Sequence, residues 1–357
     1  MKAPHGVALV GLGMASRPHA KSLVELESEG RVRVVSAWSP SDARRSSFHA
    51  EWGLPIADSL AAIVDDPDIQ SVILITPPDA RVALVREFAT AGKHVLMEKP
   101  LERSLSAAFE LVVIAAQADI KFGVVLQQRF RDASRVLGER MREAALGELT
   151  SVQVCVPWWR EQGYYDEPGR GTLARDGGGV LISQAIHTLD LMLSLAGPVD
   201  AVMAMAATTK LHAMECEDFV AGSMRFANGA IGSLIATTAL YPGATESIVL
   251  AGTLGTATLA GAELTIDYRD GRQEAVGEPG TSGGGANPMD FPHQWHRRLI
   301  ENFLVAVEDD TEPAIPAREA LAVHALIDAL LVSSREGRQV KPISHNGSGA
   351  QDMESRT

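Results

Sequence analysis

A hydroxyl, an imidazole and a carboxylate stand at helical spacing between Asp176 and Asp190, as Ser183, His187 and Asp190. At about 100° per residue the three fall within one narrow arc, while Leu181, Ile182, Ala185, Ile186, Leu189, Met192 and Leu193 occupy the other side. A histidine and an aspartate three positions apart on a helix can touch, and the carboxylate can then fix the ring's tautomer and raise its basicity. Such an arrangement describes a general base on a rigid element, opened by Gly177-Gly178-Gly179. It equally describes a helix N-terminus with a satisfied, half-buried histidine.

Lys99 is the second residue with chemical reach. In Glu98-Lys99-Pro100 the proline forces Lys99 into an extended conformation and allows a cis peptide bond. A lysine fixed at the carboxyl end of a strand can polarise a hydroxyl or carbonyl oxygen. An ordinary surface lysine at a strand exit would have the same local sequence.

The elements that must hold these residues begin with Val7 to Val10, a continuous apolar run of the kind buried on both faces of a parallel sheet. It leads into Gly11-Leu12-Gly13-Met14-Ala15-Ser16 and then a helical segment from Ala20 to Glu29. Strand, glycine turn and helix is the context of a dinucleotide-binding loop, in which Gly11, Gly13, Met14 and Ala15 would approach a pyrophosphate at the helix N-terminus. Ser16 stands where a third glycine would be; a tight turn without a ligand remains the alternative. The second strand, Val32 to Ala37, ends at Trp38-Ser39-Pro40, with Arg44 and Arg45 following. An acid there would accept from the ribose 2′-hydroxyl of NAD; Ser39 and Arg44 instead favour the 2′-phosphate of NADP, unless the arginines only solvate a helix face.

Alternation continues through the strand Ser71 to Thr76, a helix from Ala80 to Ala91, the strand His94 to Met97, a helix from Leu105 to Ala118 and the strand Lys121 to Leu126. This predicts a doubly wound parallel sheet with ligands beyond its carboxyl ends, where Thr76, Pro77, Glu98, Lys99 and Gln127 fall.

With 32 basic and 45 acidic residues, the net charge of −13 argues against nucleic acid or anionic membrane as the main partner. Cys155 and Cys216 form no disulfide framework and no metal-ligand spacing, so no metal is expected. No apolar run reaches membrane-spanning length and no secretory leader is evident, which points to a cytoplasmic protein.

Together Gly11-Leu12-Gly13, Thr76-Pro77-Pro78, Ala91-Gly92-Lys93-His94-Val95-Leu96-Met97-Glu98-Lys99-Pro100-Leu101, and Gly177-Gly178-Gly179 through His187 to Asp190 resemble the glucose-fructose oxidoreductase / inositol 2-dehydrogenase / MocA family. The resemblance spans about residues 6 to 340. It implies an N-terminal Rossmann domain with a doubly wound parallel sheet, and a C-terminal α+β domain with a large, mainly antiparallel open sheet. It also implies NAD(P)-dependent dehydrogenation or reduction of a sugar, sugar derivative or cyclitol, with Lys99 on the reacting hydroxyl and His187 exchanging its proton. Two positions depart from the family's pattern: Ser183 stands where an aspartate is frequent, and Arg81 lies near the place of a histidine. The departure at Ser183 keeps open a catalytically silent cofactor-binding sensor, and a non-sugar substrate such as a dihydrodiol is a further alternative.

The remaining chain supplies the other elements. A helix from Ser134 to Glu143 and a strand from Leu149 to Val156 precede an aromatic segment in which Trp159, Arg160 and Tyr165, with Arg170, suit a sugar-like ligand or simply staple a loop. Arg129 and Ser183 are further substrate-binding candidates. Six strands follow: Val199 to Ala207, Asp218 to Phe226, Ala230 to Thr237, Glu246 to Leu250, Ala257 to Leu259 and Glu263 to Tyr268. Their open face would join a homodimer or homotetramer. The stretch from Gly277 to Gly285 reads as a connection or lid, and helices follow over Gln294 to Val307 and Arg318 to Ser333, with His293 and His296 at the first. The expected division is a nucleotide-binding domain over 1–126, a substrate and oligomerisation domain over 127–345, and a frayed tail over 346–357.

Overall fold

The computed structural model describes residues 4–278 and 291–343. The part of the Gly277 to Gly285 stretch from Pro279 onward, and the tail expected over 346–357, lie outside the described residues. In chain order the elements are β1 (His5–Val10), α1 (Ser16–Ser28), β2 (Val32–Trp38), α2 (Asp42–Trp52), α3 (Leu60–Asp65), β3 (Ser71–Leu74), α4 (Arg81–Thr90), β4 (His94–Glu98), α5 (Leu105–Gln117) and β5 (Phe122–Val125). Next come α6 (Asp132–Arg142), β6 (Leu149–Pro157), α7 (Gln162–Tyr165), α8 (Ile186–Ala196), β7 (Val199–Ala207), β8 (Phe219–Phe226) and β9 (Ile231–Thr237). The series ends with β10 (Ser247–Gly252), β11 (Gly255–Ala260), β12 (Glu263–Tyr268), β13 (Gln273–Val276), α9 (Gln294–Glu308) and α10 (Ala317–Glu336).

Two compact units result. The first joins the chain up to Phe130 with Pro292–Arg318, and the second joins Arg131–Phe291 with the chain from Glu319. This differs from a single boundary after residue 126. Helix α9 packs on α1 and on β4 and β5, and the Val124 N–H bonds the Ile315 carbonyl at 3.0 Å, so the late segment completes the first core.

The first unit carries a five-stranded sheet in the order β2-β1-β3-β4-β5, with every pair parallel. All six residues of β1 are buried, the pattern of a strand covered on both faces. Because β2 and β3 lie on opposite sides of β1, the strand order reverses there, and the carboxyl ends of β1 and β3 flank a crevice suited to a ligand. Helix α1 starts at Ser16, earlier than Ala20, because the turn runs straight into it.

The second unit carries an eight-stranded sheet, β13-β12-β11-β10-β6-β9-β8-β7, with β6 and β9 parallel and all other neighbours antiparallel. Strand alternation puts Val220, Met224, Leu234 and Ala236 inside and leaves Met203, Met205, Ile231 and Ile235 exposed. Strand β13 has no clear sequence signal: Gln-Glu-Ala-Val has only two apolar residues and lies at the sheet edge.

The segment expected to be one α-helix from Val180 is π-helical over Leu181–Ala185 and becomes α-helical at Ile186. A π turn advances fewer degrees per residue, so the single polar arc of Ser183, His187 and Asp190 does not form as drawn on an α-helical wheel. Every residue from Ile186 to Met192 is buried, and the polar face lies in the interior along with the apolar one.

Candidate active site

In the first unit the functional candidates collect at the carboxyl ends of the parallel strands. Gly11 leaves β1 at φ 103°, and a Cβ there would lie 2.6 Å from the Ile75 carbonyl carbon and 2.8 Å from the Thr76 nitrogen. Only glycine lets the ends of β1 and β3 come this close. Gly13 faces open space, with nothing within 4 Å of the position a Cβ would take. Met14 is exposed and Ala15 half-buried, and Ala15 gives α1 no side-chain cap. Ser16 turns back, its Oγ donating to the Gly13 carbonyl at 2.7 Å.

Thr76 and Gln127 are both buried, yet Thr76 Oγ1 and Gln127 Oε1 have no hydrogen-bond partner among the described residues. Buried polar atoms without partners are uncommon and point to a missing ligand or solvent. With the glycine turn and the uncapped helix start, they have the chemistry that would hold a nicotinamide dinucleotide. Pro77 is exposed beside Thr76.

At the exit of β2, Ser39 is buried and its carbonyl accepts from Arg45 Nη1 at 2.6 Å; Arg45 also pairs with Asp42. Arg44 lies exposed in the first turn of α2, and its guanidinium has no hydrogen bond or ion pair among the described residues. The two neighbouring arginines therefore differ: Arg45 braces the loop, and Arg44 projects from it.

Lys99 is half-buried at the end of β4, and the Lys99–Pro100 bond is cis. Its amide donates to Glu98 Oε2 at 3.1 Å. Arg81, a departure from the family's pattern, is buried: Nε and Nη2 donate to the Thr76 carbonyl at 3.0 and 2.7 Å, and Nη1 to the Glu98 carbonyl at 2.6 Å. One guanidinium thus ties the exits of β3 and β4 together. Burial lowers its pKa to about 10, leaving it cationic at neutral pH. Arg129 is half-buried in the 3₁₀ turn after β5.

The sequence offers His293 and His296 either as residues that reach a substrate or as surface histidines. Neither is at the surface: His293 Nε2 lies 2.8 Å from Glu25 Oε1, and His296 Nε2 lies 3.7 Å from Glu98 Oε1 in the core.

In the second unit His187 and Asp190 sit in the first turns of α8, 8% and 2% exposed, with Ser183 half-buried on the π turn before them. The start of this segment is clamped by Glu217, a residue with no local sequence signal for such a role. Glu217 Oε2 accepts from the Gly179 N–H at 3.1 Å, Oε1 from Leu181 at 3.2 Å, and its carbonyl from Val180 at 2.8 Å. A Cβ on Gly179 would fall 1.8 Å from the Glu217 carbonyl oxygen, which explains the glycine. Burial pushes the Glu217 carboxyl up from its ordinary range, against the pull of its backbone donors.

The aromatic segment is held mostly by its own partners. Arg160 is buried, donates to the Trp159 carbonyl at 2.7 Å, and lies over the rings of Trp158 and Tyr164. Tyr165 is buried with its hydroxyl 2.6 Å from Thr238 Oγ1. Both are placed as internal staples. Arg170 stacks 4.2 Å from the Tyr164 ring centroid and pairs with Glu167, while half-buried Trp159 packs edge-on to Tyr241. His212 adds a pair missed in the sequence: Nδ1 is 2.8 Å from Asp218 Oδ2 and Nε2 is 2.9 Å from the Arg160 carbonyl, pinning the segment.

Comparison with known proteins bears on both units. A family described as "Oxidoreductase family, NAD-binding Rossmann fold" matches residues 5–126, and the "GFO/IDH/MocA C-terminal domain" matches residues 135–258. The D-apiose dehydrogenase of Paraburkholderia graminis is 24% identical over 94% of this chain and 88% of its own. The inositol 2-dehydrogenase of Rhizobium meliloti is 23% identical over 93% of this chain and 97% of its own. Among solved structures, the WlbA dehydrogenase from Bordetella pertussis in complex with NADH and UDP-GlcNAcA is 26% identical, with a TM-score of 0.83 over 96% of this chain and 99% of that one.

Proposed function

Because the chain belongs to the Gfo/Idh/MocA family of oxidoreductases, we propose that it interconverts a secondary alcohol and a ketone of a sugar, sugar derivative or cyclitol, with NADP preferred over NAD. That it is an NAD-binding dehydrogenase acting on CH–OH groups is shared with its relatives; the substrate class and the cofactor preference are this proposal's own. The observation that carries it is the gathering of Gly11, Thr76, Glu98, Lys99 and Gln127 at the carboxyl ends of one parallel sheet, with buried oxygens of Thr76 and Gln127 left for a ligand.

Bound nicotinamide would take or give the hydride at the carbinol carbon. His187 takes the hydroxyl proton as the C=O bond forms, and Asp190 orients the imidazole. Lys99 stabilises the charge that develops on the oxygen, and Ser183 lends a hydroxyl to the substrate. Exposed Arg44 supports a 2′-phosphate contact, since Ser39 stands at the end of β2 where an acid would meet the 2′-hydroxyl of NAD, and Arg45 is already engaged. The open face of the second sheet, with Met203, Met205, Ile231 and Ile235 exposed, supports association with a second copy.

The test is a panel of myo-inositol, D-xylose, D-glucose and related polyols with NAD and NADP, followed by nicotinamide absorbance. On the best substrate, Lys99→Met and His187→Ala are each expected to lower turnover at least a hundredfold while NADPH still binds. Near-normal turnover in both variants sinks the assignment. Arg44→Ala should weaken NADPH about tenfold and leave NADH alone, and equal effects on the two would remove the phosphate contact. Light scattering that finds only monomer would remove the association.

A further inference from the structure

Three titratable side chains in the core of the first unit carry no proton or hydride in the reaction proposed above. His19 of α1, Glu98 at the end of β4 and His296 of α9 are 0%, 8% and 2% exposed. His19 Nε2 is 2.8 Å from Glu98 Oε1, His296 Nε2 is 3.7 Å from the same oxygen, and the two rings meet edge to face with centroids 4.9 Å apart. Two imidazoles and a carboxylate whose ligand atoms all lie within 4.8 Å have the composition of a metal site.

Charge and distance point elsewhere. Arg81, buried and cationic, already balances the Glu98 carboxylate, and Lys99 is the next residue in the chain. A dication would add unbalanced positive charge to this core. The 2.8 Å between His19 and Glu98 is a hydrogen bond, whereas two ligands on one tetrahedral zinc stand about 3.3 Å apart.

The other carboxylate oxygen shows what the cluster does. Glu98 Oε2 accepts the Lys99 amide at 3.1 Å, and the Glu98 carbonyl is held by Arg81 at 2.6 Å. The carboxylate therefore bridges an imidazole of α1 to the backbone of the lysine that follows it. We propose that His19 and His296 are positioning residues, which act through Glu98 to fix the backbone of Lys99 and so the placement of its ammonium group. The inference rests on the assignment of Lys99 to the reacting oxygen. The groups that face Glu98 are His19 from α1, His296 from α9 and Arg81 from α4, with Glu102, Asp79 and His293 further out in the same field. Burial alone would raise the Glu98 carboxyl, but the two histidines outweigh it and hold it well below the usual range, so the bridge is an anion.

His19→Leu removes the donor, and His19→Gln returns an amide nitrogen near the place of Nε2. On the best substrate of the panel, His19→Leu is expected to lower kcat at least tenfold with NADPH affinity within threefold of the parent, and His19→Gln to recover most of that loss. Glu98→Gln keeps the shape but not the charge. It should lower kcat and move the alkaline limb of the kcat/KM profile to lower pH, because Lys99 loses a neighbouring anion. The proposal is overturned if His19→Leu and Glu98→Gln turn over within twofold of the parent while Lys99→Met is inactive. It is also overturned if Leu and Gln at position 19 are equally harmful, if every cluster variant fails to fold, or if the purified protein carries stoichiometric zinc by elemental analysis. An active Lys99→Met would instead remove the assignment on which the inference stands.

Discussion

Each unit uses a buried carboxylate to fix the backbone around its proposed reactive residue, and the two do so in opposite electrostatic settings. Glu98 in the first unit has His19, His296 and Arg81 around it and is held well below the ordinary carboxylate range. Glu217 in the second unit is met by the backbone N–H groups of Gly179 and Leu181, with Asp218 beside it in the chain, and burial pushes it up. The difference teaches what each carboxylate can be used for. An anion compensated by cationic and imidazole partners can tune a neighbouring lysine through its charge; a carboxylate compensated by amides alone serves through its shape.

The largest break in this comparison is expected at Gly179. A Cβ there meets the Glu217 carbonyl oxygen at 1.8 Å, and the clash is with backbone that cannot rotate away. Gly179→Ala should therefore cost about 3 kcal/mol, displace the π turn, and lower the melting temperature by roughly 6–12 °C, with loss of turnover. Calorimetry checks it; a variant melting within 2 °C of the parent, on the order of a 1 kcal/mol effect or less, would mean that the clamp on the start of the His187 helix is soft.

That glycine also shows how far the sequence could be read. The fold of the first unit was legible because a parallel strand covered on both faces leaves a run such as Val7 to Val10, and because Gly11 and Lys99 each stand at a strand exit marked by glycine or proline. The three glycines before His187 were visible too, but not their cause, since Glu217 comes from a segment 38 residues away from Gly179 in the chain. The π turn was illegible for a different reason: a stretch of five residues such as Leu181–Ala185 reads the same whether bonds run from i to i+4 or to i+5. His19 carries no signal of its own, because a single histidine among Ala20, Leu23 and Leu26 looks like one more helix position, and only the fold brings it to Glu98. Nothing in the sequence of α9 marks it as part of the first unit, because its packing on α1 is entirely non-local.

A smaller effect separates the two carboxylates by pH. Burial lowers the His296 pKa from 6.5 to about 4, so the folded chain resists a proton that the unfolded chain accepts. The stability contributed is full above pH 6.5 and is lost as pH falls toward 4, with about 2 kcal/mol gone between pH 7 and pH 5. The depressed Glu98 carboxyl adds loss of the same sign below about pH 4.5. Urea unfolding at pH 7 and pH 5 measures the sum, and His296→Gln should flatten the difference. If the variant keeps the parent's pH dependence, the acid lability arises outside this cluster.

Glu217 carries the opposite sign and the smallest effect. A carboxyl raised above its unfolded value of 4.5 stabilises the folded chain below that pH and loses that contribution as pH rises through the folded value. Glu217→Gln removes the cost of ionising in the core but turns an amide NH₂ toward one of the two N–H groups that the carboxylate accepted from. The two changes oppose each other, so stability at pH 7 should move by less than about 1 kcal/mol. The rise of stability from pH 4.5 upward should nevertheless steepen, because the His296 contribution is no longer partly offset. A slope identical to the parent's would mean that Glu217 ionises as an ordinary carboxylate, and the contrast between a charge that tunes and a shape that clamps would then fail on the side of the second unit.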